Sequence, residues 1–99
     1  MKIYVVFGQT GEYSDRKEWM VCAYRKEEKA QARISELENL MLTLGVDPGL
    51  YWVSGKNNLE KLVEVSEAMR KHPRGDPAFD TDYTGTMYYY ASTDLRTAL

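Results

Sequence analysis

The segment at residues 80–85 spaces oxygen-bearing side chains in the way that a cation site would require. Asp80 and Asp82 occupy alternate positions, and Gly85 follows where a calcium-binding loop uses glycine for its sharp turn. The twelfth position of such a loop carries a bidentate Glu, but Ala91 stands there in this chain. We therefore predict no metal site, and we interpret the segment as a turn whose Asp side chains bond their own backbone.

Groups able to catalyse a reaction are scarce in this sequence. The only histidine, His72, stands at a predicted helix end, where a positive side chain stabilises the helix dipole. The only cysteine, Cys22, lies in an apolar run and is predicted to pack as an inert buried thiol. One His and one Cys cannot complete a zinc site, and the glycine-bearing segment 8–11 lacks the lysine of a phosphate-binding loop. We predict that the protein is not an enzyme and has no cofactor.

Tyrosine is the residue type that most clearly indicates binding, with eight copies in the chain. Its ring offers a large contact area at low entropy cost together with a polar tip, so tyrosine is enriched at protein interfaces. The alternative is that these rings pack in and around a small core. The residues that we predict to contact a partner are Asp80, Asp82, Tyr83, Tyr88 and Tyr90, with Tyr13, Asp15 and Arg16 as a second patch.

The composition is that of an ordinary globular protein, with 43% hydrophobic and 28% charged residues. A chain of 99 residues suffices for one core, so we assign residues 1–99 to a single domain. The formal charge is −2, and the charges are interspersed rather than gathered into the basic stripe that nucleic-acid binding requires. No apolar run approaches the roughly 20 residues of a spanning helix, and the N-terminal segment is more typical of a strand than of a signal peptide. We expect a cytoplasmic protein.

Alternation of side chains predicts strands at residues 2–7 and 18–24, joined by a wide polar loop, and an aromatic third strand at residues 86–93. Between the second and third strands the apolar spacing changes to that of helices. The resulting order, strand, strand, helix, helix, strand, predicts an α+β fold. Its architecture would be a small antiparallel three-stranded sheet with two helices packed on one face.

Both predicted helices have one apolar face. The first runs from residue 26 to residue 44 and is ended by Gly45. Its apolar positions step by four and three and are Ala30, Ile34, Leu37, Met41 and Leu44. The second is capped by Asn57 or Asn58 and continues to His72. Its predicted apolar face consists of Leu59, Leu62, Val63, Ser66 and Met69.

Two helices on one side would leave the other face of the sheet open. We assign the more apolar set of the first strand, Ile3, Val5 and Phe7, to the helices, so that Tyr4 and Val6 face outward. From the other strands we assign as outward-facing Met20, Cys22, Tyr24, Tyr88 and Tyr90. One sequence does not define strand register, so the choice of Tyr88 and Tyr90 over Met87 and Tyr89 stays open.

Two runs of residues carry a family resemblance. They are Thr10-Gly11-Glu12-Tyr13-Ser14-Asp15-Arg16-Lys17-Glu18-Trp19, within residues 2–30, and Asp82-Tyr83-Thr84-Gly85-Thr86, within residues 76–90. These segments resemble small uncharacterised accessory proteins of bacteriophages and prophages, and together they cover a little under half of the chain. The resemblance implies a protein that binds and inhibits a host protein in the bacterial cytoplasm. A component of a defence system such as CRISPR interference would be a candidate target.

Two other functions stay open at this stage. The sheet tyrosines could stack on the bases of single-stranded nucleic acid, although the net negative charge disfavours that function. The open sheet face could also close a homodimer, which would bury the tyrosines without a foreign partner.

Overall fold

The computed structural model of the chain describes residues 1–11, 14, 16–46, 59–81 and 85–94. The elements in chain order are β1 (Lys2–Thr10), β2 (Lys17–Tyr24), α1 (Glu27–Thr43), α2 (Leu59–Lys71) and β3 (Thr86–Asp94). The predicted order and the α+β class are confirmed. The first strand is longer than predicted because its pairing continues through residues 8–10, which were assigned to a loop.

The three strands form one antiparallel sheet in the order β2-β1-β3. Strand β1 is therefore central. Strand β3 pairs with β1 along its full length, from Lys2 opposite Asp94 to Thr10 opposite Thr86. On the other side, the register between β1 and β2 shifts between Val6 and Phe7. This shift leaves Val21 without a partner in the ladder, and its side chain packs against the helical core.

Helix α1 crosses all three strands and forms the main cover of the sheet. Its predicted apolar face is confirmed, since Ala30, Leu37 and Met41 are fully buried. The helix ends as the sequence predicts, because Gly45 adopts a φ of 88° that favours glycine. The backbone N–H of Val46 then donates to the carbonyl of Met41 at 3.0 Å, which brings the buried Val46 side chain into the core.

Helix α2 packs against α1 and adds Val65 and Met69 to the same core. Ser66 and Met69 are buried as predicted, but Val63 is 49% exposed, so its assignment to the apolar face is wrong. Val65 and Met69, four residues apart, define the buried face instead. The predicted cap at Asn57 or Asn58, and the side chains of Leu59 and Leu62, lie outside the described residues.

The helices cover the face of the sheet opposite to the one that the sequence predicts. Val6 and Tyr88 are buried beneath them, so the assignment of Ile3, Val5 and Phe7 to the helices is wrong. The reason lies in Gly8, whose missing side chain leaves space that the indole ring of Trp19 fills. This close packing selects the face containing Gly8 and Val6 for the core, although the alternate residues of β1 are more hydrophobic.

Candidate functional site

The second face of the sheet carries an uncovered cluster of large apolar side chains. We call it the open face, and it consists of Phe7, Met20, Met87 and Tyr89. Directly paired residues of an antiparallel sheet share a face, and Phe7 lies opposite both Met20 and Tyr89. Met20 is 66% exposed and Met87 is 43% exposed, although both are strongly apolar. Both described helices pack on the reverse side of the sheet, so neither covers this cluster.

Aromatic stacking fixes the centre of the open face. The rings of Phe7 and Tyr89 have centroids 5.4 Å apart and are inclined by only 22°. Further along the strands, Val5 is buried and lies opposite Ala23 and Ala91, two small residues that are exposed. The most exposed apolar side chains of the open face are therefore the two methionines.

A polar group borders the open face at the hairpin end of the sheet. Arg16 donates to the side chain of Gln9 at 2.8 Å and to that of Glu18 at 3.3 Å. Gln9 and Glu18 are themselves partners in the β1–β2 ladder, so all three side chains form one exposed rim. Arg16, predicted as part of a second patch, thus lies beside the open face, whereas Tyr13 and Asp15 lie outside the described residues.

Tyr88, which we predicted to contact a partner, lies in the core instead. It is only 5% exposed, and its hydroxyl donates to Oδ2 of the fully buried Asp76 at 2.7 Å. The same oxygen accepts the indole N–H of Trp19 at 2.8 Å, and Oδ1 accepts the backbone N–H of Ala78 at 3.0 Å. Burial raises the pKa of Tyr88 far above its usual value, and the neighbouring Asp76 carboxylate raises it further.

Tyr90 also faces the helices rather than the open side. Its hydroxyl donates to Oε1 of Glu27 at 2.7 Å and accepts from Gln31 at 3.2 Å, which ties β3 to the first turns of α1. Its ring meets that of Tyr4 edge to face, with centroids 6.2 Å apart. The hydrogen bond to Glu27 raises the pKa of Tyr90. The prediction that Tyr88 and Tyr90 face outward is therefore wrong, and Met87 and Tyr89 take that place.

In the described part of the acidic segment, residues 76–81, the side chain of Asp80 bonds its own backbone as the sequence predicts. The Asp80 carboxylate accepts the backbone N–H of Thr81 at 2.9 Å and pairs with Lys17 of β2 at 3.2 Å. Asp82 and Tyr83, two further predicted contact residues, lie outside the described residues. Within the part of the chain that the structure describes, no group of three or more His, Cys, Asp or Glu side chains could hold a metal ion.

A second candidate site, which the sequence analysis missed, is a cavity between β2, α1 and the turn after α2. This cavity has a volume of about 230 Å³ and is lined by Tyr24, Lys29, Ala32, Arg33, Glu36 and Arg74. Lys29 and Arg33 are four residues apart on α1, and Glu36 follows three residues later, so helical spacing could have placed these three together. Arg74 lies in the turn after α2, far from α1 in the sequence, and no local pattern predicts that it lines the cavity.

Hydrogen bonds to the turn after α2 hold the cavity wall in place. Arg33 donates to the carbonyls of Arg74 and Gly75, both at 2.8 Å, and also pairs with Glu36. Arg74 donates two hydrogen bonds to the carboxylate of Glu36, one from a terminal nitrogen at 2.7 Å and one from Nε at 3.2 Å. The hydrogen bond from Arg74 lowers the pKa of Glu36, so this carboxylate stays ionised at neutral pH.

The chain matches no protein-family model, no curated protein and no solved structure. The described residues also contain no helix with the length and apolar character needed to cross a membrane. The geometry of the open face and of the cationic cavity is thus the basis for the functional proposals that follow.

Proposed function

We propose that this protein is a non-enzymatic accessory protein that acts by docking its open face onto another protein. The observation that supports the proposal is the exposure of Met20 and Met87 beside the stacked rings of Phe7 and Tyr89. Contiguous apolar patches with a polar rim are typical of protein contact surfaces, and methionine and aromatic residues are enriched in them.

The size of the open face favours a transient contact with a different protein over a permanent homodimer. A sheet of three strands of eight or nine residues offers a face of about 30 by 15 Å. The open face is part of this area, so its burial against a partner of equal size removes at most about 900 Å² from water, whereas obligate dimers bury about 2,000 Å² or more. The area corresponds to the small end of specific interfaces, where regulatory contacts are found.

The charge distribution of the open face favours protein over nucleic acid. Arg16 borders the open face, and its guanidinium is engaged with Gln9 and Glu18. Nucleic-acid platforms combine stacking rings with free cations that neutralise phosphates. A surface with an apolar centre and a rim whose positive charge is already paired is better suited to binding an apolar patch on a protein than to binding nucleic acid.

The resemblance of residues 2–30 and 76–90 to phage and prophage accessory proteins supports a bacterial host protein as the partner. In this proposal the protein inhibits that partner, and a component of a defence system such as CRISPR interference is the leading candidate. Inhibition by physically blocking a surface of the partner requires no catalytic group, which agrees with the scarcity of His and Cys in the sequence.

The test uses a double variant, Met20→Glu with Met87→Glu, which places two charges on the open face. A matched control is Leu42→Glu with Val63→Glu, because these side chains are about equally exposed but lie on the helices. The tagged proteins are used to capture partners from a bacterial lysate, and the identified partner is then purified and titrated against each variant. We expect the open-face variant to lose binding and the control to retain wild-type affinity.

Sedimentation of the wild-type chain at several concentrations completes the experiment. A monomer that binds the purified partner only through an intact open face supports the proposal. Equal binding by the open-face variant would show that another surface is used. Concentration-dependent dimerisation that Met20→Glu and Met87→Glu abolish would identify a second copy of the chain as the occupant, and would overturn the proposed docking onto a different protein.

A further inference from the structure

We propose that the cavity between α1 and the turn after α2 binds a phosphate group. Three cationic side chains, Lys29, Arg33 and Arg74, line this cavity together with one carboxylate, Glu36. The site therefore carries a net positive charge in a chain whose formal net charge is −2. It lies on the helical side of the sheet, so the inference is independent of the open face and its function.

The ion pairs inside the cavity leave cationic donors unused. Glu36 is the single carboxylate in the lining, and it accepts from both guanidinium groups. Lys29 has no ion-pair partner among the described residues, although it is the third cation of the lining. Arg74 uses its Nε and one terminal nitrogen on Glu36, which leaves its other terminal nitrogen available. An oxyanion in the cavity could thus accept charged hydrogen bonds without breaking an existing one.

Arg33 gives the site a fixed geometry before any ligand arrives. Its side chain is only 11% exposed, and the carbonyls of Arg74 and Gly75 hold its two terminal nitrogens at 2.8 Å. A guanidinium fixed in this way loses little conformational freedom when an anion binds. The turn that carries Arg74 is anchored by the same two hydrogen bonds, so two of the three cations are held relative to each other.

Tyr24 provides a neutral wall on the strand side of the cavity. Burial raises the pKa of its phenol, and a hydrogen bond with Cys22 raises it further. The phenol therefore stays protonated at neutral pH and adds no negative charge to the cavity. Ala32 is the remaining lining residue, and it is uncharged.

The volume of the cavity matches a small group. Pockets that enclose drug-sized molecules measure about 300 to 1,000 Å³, whereas this cavity measures about 230 Å³. A single tetrahedral phosphate, free or at the end of a monoester, satisfies both the charge and the size. A phosphate monoester carries about −1.5 to −2 charges at neutral pH, which balances the excess of positive charge in the lining.

The experiment follows backbone amide shifts of the full-length chain by NMR during titration at pH 7.5. The probes are inorganic phosphate and O-phosphoserine, with sodium chloride at matched ionic strength as the reference. We expect saturable shifts at residues 29–36 and 74 that chloride does not reproduce. Saturation by both probes identifies the phosphate group as sufficient, and saturation by phosphoserine alone identifies a monoester. Either result supports the proposal.

Three variants test the assignment of the cavity. Lys29→Gln should weaken phosphate binding about tenfold, because a charged hydrogen bond is lost. Glu36→Gln should strengthen binding, since it removes the competing carboxylate. Lys71→Gln changes an exposed lysine outside the cavity lining and should leave binding unchanged. The proposal is overturned if chloride produces the same shifts, or if a folded Lys29→Gln variant binds phosphate as tightly as the wild-type chain.

Discussion

The hydroxyl of Tyr88 and the carboxylate of Asp76 are joined by a 2.7 Å hydrogen bond in the interior of the protein. This contact connects the last strand to the turn that follows α2. Among the described residues, the three hydrogen bonds to the carboxylate come from neutral donors, since Trp19 and the backbone of Ala78 supply the other two. A buried carboxylate that depends on such donors makes each of them important for stability.

Removal of the Tyr88 hydroxyl should destabilise the protein substantially. Tyr88→Phe deletes a hydrogen bond to a buried charged acceptor, so we expect a loss of about 1.5 to 3 kcal/mol in the free energy of unfolding. Tyr89→Phe is the matched control, because the Tyr89 hydroxyl has no hydrogen bond among the described residues; it should change stability by less than about 0.5 kcal/mol. Urea denaturation followed by circular dichroism measures both values. Equal stability of the two variants would contradict the role of this bond.

The raised pKa of Tyr88 predicts a loss of stability in alkali. The unfolded chain releases the phenol proton near the ordinary tyrosine pKa of about 10, whereas burial and the neighbouring Asp76 raise the pKa in the folded state, which retains the proton. The stabilisation is thus fully present below pH 10 and declines as the pH rises above it, by up to about 1.4 kcal/mol per pH unit. Denaturation series between pH 8 and pH 12 should show this decline for the wild-type chain. Tyr88→Phe should show a shallower one, and parallel curves would exclude Tyr88 as the cause.

Gly75 should not tolerate a side chain. A Cβ at this position would lie 2.0 Å from the carbonyl oxygen of Met69, which is backbone and cannot rotate away. We expect Gly75→Ala to cost at least about 2 kcal/mol, as overpacked sites do. Gly45→Ala offers a comparison, because it is strained only by its positive φ and should cost about 1 kcal/mol. Thermal unfolding ranks the two variants, and the reverse order would show that the turn at Gly75 can relax.

Charges on the open face should leave the fold intact. Met20→Glu with Met87→Glu replaces side chains that are already in water, so we expect a change within about 0.5 kcal/mol for each site. Met69→Glu, at a fully buried methionine, should prevent folding. Circular dichroism and thermal unfolding distinguish these results. A large loss of stability in the open-face variant would mean that the two methionines serve the core rather than a partner.

The sequence predicts the helices of this fold better than the faces of its sheet. The positions Ala30, Leu37 and Met41 recur at helical spacing, and Gly45 provides a local stop signal. Both signals lie within a few residues of the structure that they determine. The element order followed from them and from the alternation in the strands.

The sheet faces could not be assigned because both faces of β1 and β3 carry large apolar residues. What decides between them is the packing of Trp19 over Gly8 and the buried acceptor at Asp76, both of which join distant parts of the chain. An aspartate in a polar turn is normally exposed, so nothing local indicates that Asp76 is buried. Arg74 enters the cationic cavity for similarly non-local reasons.

The central position of β1 has a consequence for synthesis of the protein. One edge of β1 can pair with β2 as soon as the hairpin has left the ribosome. The other edge cannot pair until residues 86–94, which form β3, have been synthesised. Until then, the unpaired edge stays accessible to water and to other chains, and Asp76 lacks the hydrogen bond from Tyr88. The nascent chain therefore completes its sheet only after residues 86–94 have been synthesised, and a variant that lacks β3 would expose a strand edge and be prone to edge-to-edge aggregation.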